Sequence, residues 1–130
     1  MERARPPSAV SCLILREDGH VLVVRRTRAP YAGAYSLPGG RLADGEAPEV
    51  GAARELREET GILAPPLEPL ATTLAGEYRV LVLFGHVGRA EPRAGSDADV
   101  ARFVSIEALA ELPTTPGLTE LVASVWRRRR

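Results

Sequence analysis

Three carboxylates stand close together in this chain. Glu55, Glu58 and Glu59 fall at i, i+3 and i+4 within Pro48–Thr60. On a helix those positions share a face. Pro48 suits a first helical turn, and Gly61 suits the left-handed residue that closes a helix. As plain structure the face is unfavourable. Each like-charge pair costs roughly 0.2–0.5 kcal/mol, and Glu58 and Glu59 lie in the last turn, where the helix dipole favours cations. Arg54 and Arg57 offset part of this. A divalent cation would turn the cluster into a site, because clustered carboxylate oxygens suit Mg²⁺ or Mn²⁺ shared with substrate phosphates. The competing reading is a solvated, charged helix face.

The flanking residues favour chemistry. Pro38, Gly39 and Gly40 precede the helix and read as a tight turn. Glycines there allow a backbone carbonyl or amide to approach a metal or a phosphate. Val50, Ala53 and Leu56 recur at helical spacing and are expected to form the buried stripe. Ala47 stands at the cap position and forfeits about 1 kcal/mol relative to Ser or Thr.

Gly40, then Glu46, then Arg54-Glu55-Leu56-Arg57-Glu58-Glu59-Thr60-Gly61-Ile62 resembles the signature of the Nudix hydrolase family, G-x5-E-x7-R-E-U-x-E-E-x-G-U, with U aliphatic. Every fixed position matches. Seven fixed residues at average usage give a chance match on the order of 10⁻⁹ per start point. Strands and helices mixed without regular βαβ alternation argue an α+β fold; the resemblance implies a mixed β-sheet sandwiched between α-helices, with the signature as loop–helix–loop. It implies Mg²⁺ (or Mn²⁺) and attack on phosphorus of a nucleoside diphosphate linked to a group X. By position it makes Glu55, Glu58 and Glu59 metal ligands, with the Gly39 carbonyl as a further one. It makes Arg54 the orienter of a box glutamate and Glu46 a supporting residue.

The resemblance also points to Gly40, at the start of the box, as part of the substrate site, and outside the box to Arg26 as a phosphate contact. Arg25 and Arg26 end a strand, where two arginines are otherwise solvated charges. A guanidinium fork matches phosphate oxygens, and only one of two neighbouring strand residues can face the site. Tyr35 stands where many relatives carry Trp; it either stacks on a base or packs in the core. Relatives often add an acidic residue from the loop before the penultimate strand. Asp97 is preferred here over Asp99 because it lies further from the strand, the alternative being that both only solubilise the loop. LILREDGHVLVVRR, SLPGGRL and RAGSDADVARFVSIEALAELP are similar to ADP-ribose pyrophosphatase-like Nudix proteins, so ADP-ribose or a similar nucleotide sugar is the expected substrate. A nucleoside triphosphate pyrophosphatase is the enzymatic alternative. A catalytically inactive, nucleotide-binding regulatory domain is the alternative of another class.

The elements that must position these groups follow from pattern. Ala9–Leu15 and His20–Arg26 read as strands around an Asp18-Gly19 turn. Leu67–Ala75 and Tyr78–Val87 read as two more, the second nearly continuous apolar sequence and therefore central. Val100–Val104 is a short strand and Ile106–Leu112 a short helix. A last helix is expected from Thr115 as cap and Pro116 as start, with Leu118, Leu121, Val122, Val125 and Trp126 on one stripe that could be core or dimer interface. Met1–Pro7 reads as a loose arm of one Nudix domain spanning 1–130.

Composition sets the outer bounds. The 130 residues suit one domain, 45% are hydrophobic, and 17 basic residues balance 17 acidic ones. With zero net charge nothing argues for nucleic acid or an anionic membrane as partner; a small-molecule nucleotide is the partner that the resemblance implies. All 17 basic residues are Arg, which excludes lysine Schiff-base chemistry. Cys12 is the single cysteine and lies in an apolar run, as a buried residue of a reducing, cytoplasmic setting would. No signal-peptide core or long apolar run is evident. A homodimer is compatible with the sequence.

Overall fold

A computed structural model describes residues 6–95 and 98–129. Its spine is β1 (Ala9–Arg16), whose side chains alternate between two cores. Leu13 and Leu15 join one cluster with Val21, Val23, Phe84 and Val122. Val10, Cys12 and Ile14 join the other with Leu22, Leu56 and Leu83. This period of two is the ordinary pleat of a strand, and full burial on both faces explains the unbroken apolar run.

β2 (Val21–Arg26), β3 (Tyr35–Ser36), β4 (Gly39–Arg41), β5 (Glu68–Ala75), β6 (Tyr78–Val87) and β7 (Ala98–Val104) complete the sheet. The order is β3-β2-β1-β6-β5, with β4 paired to β1 and β7 to β2. β1 and β6 run parallel from Ala9↔Val80 to Arg16↔Val87, while the other pairs are antiparallel. α1 (Pro48–Thr60) covers one face; α2 (Ile106–Leu109) and α3 (Leu118–Arg129) cover the other. The fold is therefore α+β, a mixed sheet between helices.

One detail of the pairing positions the site. β1 meets β2 only at Leu15↔Val21, beside their connecting turn. Beyond it the strands diverge: Ala9–Ser11 of β1 pair with β4, and Val24–Arg25 of β2 pair with β3. Gly39 and Gly40 are thus strand residues inserted into the opening, not the tight turn expected from Pro-Gly-Gly. Close packing selects glycine here. A Cβ on Gly39 would stand 2.9 Å from the Cα of Ser11, nearer still to the Val10 carbonyl.

Helix α1 has the expected bounds, starting at Pro48 and ending on Gly61 at φ 73°. Its buried face differs from expectation. Val50 is 60% exposed, and the residues turned inward are Gly51, Ala52, Leu56, Glu59 and Thr60. The sheet receives the Ala52–Leu56–Glu59 row, with Leu56 and Ala52 in the core beside Val10, Cys12 and Ile14. Val50 and Ala53 fall outside it. Thr60 is buried at no cost in unmet polarity: its hydroxyl donates to Leu56 O at 2.6 Å and accepts from the Ile62 N–H.

The last helix starts at Leu118, after Gly117 at φ 82°, rather than at Pro116. Leu118, Val122 and Val125 are buried, and Leu121 and Trp126 pack beside them, so the stripe is core. α2 stops at Leu109, short of Leu112, and β7 begins two residues early at Ala98. Among the described residues no helix is long and apolar enough to cross a membrane.

Candidate active site

The inward turn of α1 brings its acidic residues against β4. Glu59 is only 8% exposed, and its Oε1 accepts from the Gly39 N–H at 3.3 Å. Glu55 lies against Gly40, where a Cβ would stand 2.6–2.7 Å from the carboxyl group. Only glycine leaves that space. Glu58, one turn-step outward, is half-exposed. The three carboxylates therefore form a gradient from buried to open along one edge of the helix.

Arg54 organises this face. Its Nε and Nη2 donate to the two oxygens of Glu46, each at 2.9 Å. Nη1 donates to Glu55 Oε1 at 2.9 Å and reaches Glu58 at 3.3–3.4 Å. Nη2 also reaches Arg41 O at 3.2 Å. All five N–H donors of a guanidinium can be assigned to these acceptors. Glu46 also accepts from the Ala43 N–H at 2.9 Å, tying the loop before α1 to the same fork.

The electrostatics follow. The Arg54 hydrogen bonds, then the Ala43 N–H, lower the Glu46 carboxyl to about 2. Burial raises Glu55 above the usual carboxylate range, against the pull of Arg54. Cys12 lies beneath the site, with its Sγ donating to Ala52 O at 3.4 Å. Burial, then the charges of Glu59 and Glu55, push its thiol up to about 12, so it is a buried apolar group and not a nucleophile.

Among the described residues no three acidic, histidine or cysteine side chains form a finished cage for an ion. Arg54 Nη1 stands between Glu55 and Glu58. The donor set still fits a hard dication. Mg²⁺ and Mn²⁺ use oxygen ligands and need few from the protein when phosphates and water supply the rest. The space left by the missing Gly40 side chain opens onto Glu55. At Gly39 the contact seen is made by its amide, on Glu59.

The residues expected outside the box are placed unevenly. Arg26 Nε donates to Pro30 O at 2.8 Å, closing the loop after β2. Tyr35 is 7% exposed and packs in the core on the face opposite α1, with Arg102 over its ring. Its placement is that of a core residue. Asp97 lies outside the described residues. Asp99 is held by Arg25, whose Nε and Nη2 donate to its two oxygens at 2.9 and 2.8 Å. That pair went unread in the sequence, because nothing local links residues 74 positions apart. An open cleft of about 600 Å³ lies along the outer side of α1, lined by Ala53, Arg54, Arg57, Glu58, Leu63 and Ala64. It meets the acidic face through Arg54 and Glu58.

Comparisons with known proteins bear on the family and the fold. A family model for the NUDIX domain matches residues 5–125. The chain is 30% identical over 111 residues to an ADP-ribose pyrophosphatase of Methanocaldococcus jannaschii, covering 76% of this chain and 62% of that protein. It spans 62% or less of the length of the first curated relatives it matches. Among solved structures, the NUDIX domain of Shewanella oneidensis NrtR complexed with ADP ribose superposes with a TM-score of 0.85 at 17% identity, covering 98% of this chain and 91% of that one. A MutT NUDIX hydrolase from Burkholderia pseudomallei gives 0.77 at 28% identity, covering 92% and 96%. With its signature helix laid against two strand glycines and its match running through nearly the whole chain, this protein belongs to the NUDIX family.

Proposed function

We propose that the chain acts as one NUDIX hydrolase domain that cleaves the diphosphate bond of a nucleoside diphosphate linked to X, with ADP-ribose as the first candidate. The observation that carries this reading is the gathering of Glu55, Glu58 and Glu59 beside Gly39 and Gly40. The substrate preference is supported by the relative of M. jannaschii, named an ADP-ribose pyrophosphatase.

Glu55, Glu58 and Glu59 would hold Mg²⁺ or Mn²⁺, with the Gly39 carbonyl as a further oxygen. When bound, the dication supplies positive charge to the diphosphate oxygens and makes water more acidic. The chain's own residues do the rest. Arg54 holds the carboxylates of Glu55 and Glu58 side by side through Nη1. Glu46 holds Arg54 in turn. Gly40 keeps the space beside Glu55 free of side chain. Little covalent participation by protein is required, because diphosphate hydrolysis depends on positioning and charge neutralisation. Water adds its oxygen to one phosphorus and loses a proton to solvent, the bridging P–O bond breaks, and the leaving phosphate carries away the electron pair. ADP-ribose would give AMP and ribose 5-phosphate.

The test is a panel of nucleotide diphosphate derivatives incubated with Mg²⁺ or Mn²⁺, with products identified by mass. Dication-dependent release of AMP from ADP-ribose, faster than from other members, supports the reading. Release of inorganic diphosphate from nucleoside triphosphates in preference would replace it with the triphosphate pyrophosphatase. Absence of any turnover, with nucleotide still bound, would replace it with a regulatory binding domain.

A further inference from the structure

The loop between β6 and β7 lies across the C-terminal end of α1. The Arg93 N–H donates to Thr60 O at 2.7 Å, and the Gly95 N–H donates to Glu59 O at 3.1 Å. The last four carbonyls of a helix lack partners within it. Here Arg57 O accepts from Gly61, and two of the other three accept from this loop. The contact is close. A Cβ on Gly95 would stand 2.6 Å from Glu58 O, a backbone atom that cannot swing aside.

The start of β7, which follows the loop, is fixed as well. Arg25 pairs with Val100 and Arg26 with Ala98, so Asp99 is the extra residue of a β-bulge. The Arg25 fork on Asp99 clasps that residue. Arg93 and Gly95 are thus tied to the turn that carries Glu58 and Glu59, and Asp99, at the start of β7, to the end of β2.

We propose that Gly95 is a positioning residue for the proposed dication site: its bare backbone, seated on Glu58 and Glu59, fixes the helix turn that aims these two carboxylates. The inference rests on the metal-binding reading of the acidic face. A side chain at 95 lifts the loop from α1, breaks the Gly95–Glu59 hydrogen bond and frees the last turn. The carboxylates then lose their common direction, and dication affinity falls by about tenfold, as for other residues that support metal ligands from behind.

The experiment is Mn²⁺ titration of the wild type, Gly95→Ala, Glu58→Gln and Gly117→Ala, followed by electron paramagnetic resonance of free Mn²⁺. Gly117 has positive φ and nothing within 4 Å of a Cβ. It precedes α3 on the opposite face of the sheet, and so controls for general destabilisation. Weakened Mn²⁺ binding in Gly95→Ala and Glu58→Gln, with Gly117→Ala unchanged, is the expected result. If Glu58→Gln weakens binding and Gly95→Ala does not, the role of Gly95 is wrong and the metal reading stands. If the wild type does not bind Mn²⁺, or Glu58→Gln binds as the wild type does, both fall. Should Gly95→Ala fail to fold, amide hydrogen exchange in the wild type decides. Mn²⁺ should slow exchange at Arg93 and Gly95, and unchanged exchange overturns the proposal.

Discussion

Arg54 holds Glu46 by a two-pronged fork, Nε to Oε2 and Nη2 to Oε1, both at 2.9 Å. Eight residues of sequence separate them, and the fork closes the loop before α1 onto the helix. The same guanidinium faces Glu55 and Glu58 through its remaining nitrogen. Shape matters here as much as charge. Lys carries a point charge and cannot span these acceptors at once. Arg54→Lys is expected to lower kcat roughly 10- to 100-fold, with a smaller change in KM, as steady-state kinetics would reveal. Equal kinetics in Arg54→Lys would mean that the fork geometry is unimportant.

Gly40→Ala tests the space beside Glu55. The new methyl would sit 2.6–2.7 Å from a carboxylate, well inside contact distance. The side chain of Glu55 can rotate away, so the fold should survive. Turnover should fall by more than about tenfold while the far-UV circular dichroism spectrum stays unchanged. Full activity in Gly40→Ala would place the reacting groups elsewhere.

Leu56 anchors α1 to the sheet. It is fully buried in the core cluster with Val10, Ile14 and Leu83. Leu56→Ala should cost about 2–5 kcal/mol of stability through lost burial and a residual cavity. Val50→Ala, at an exposed position of the same helix, should change stability by about 0.5 kcal/mol or less. Urea denaturation of the two variants checks both values, and the contrast tests which face of α1 is buried.

Acid stability follows from two depressed carboxyls. Glu46, held by Arg54, and Asp18, held by Arg16, both fall to about 2. A carboxyl whose folded value lies below its unfolded value stabilises the fold at pH above the unfolded value. That contribution is lost as pH falls towards 2. Stability of the wild type should therefore decline below about pH 4.5. In Asp18→Asn the decline over this window should be shallower, as thermal melts at stepped pH would record. An identical slope would mean that the Arg16–Asp18 pair, joined at 2.9 Å, is not maintained in solution.

Much of this was legible in the residues. The bounds of α1, Pro48 to Thr60, and of β6, Tyr78 to Val87, follow from capping residues and from an unbroken apolar run. The fold class follows from strands and helices that mix without regular βαβ alternation, and the layering from the box. Of the expected stripe on α1, Leu56 is buried while Val50 is exposed, because apolar spacing alone does not show that the inward face also takes in the carboxylate of Glu59. Gly39 and Gly40 were misread because Pro-Gly-Gly carries turn chemistry, and only the divergence of β1 from β2 makes a strand there. Arg25–Asp99 and Gly95–Glu59 join residues far apart in sequence, and an arginine or a loop glycine carries no mark of its distant partner.

The acidic face of α1 as a seat for dications is tested most directly by hydrolysis of ADP-ribose in ¹⁸O-water. Wild type and Glu58→Gln are compared with Mg²⁺ and with chelator, and products are read by mass. The expected result is one ¹⁸O in one phosphate product of the wild type, no reaction with chelator, and a loss of roughly 100-fold or more in Glu58→Gln. Equal turnover in Glu58→Gln, or turnover that survives the chelator, would contradict it.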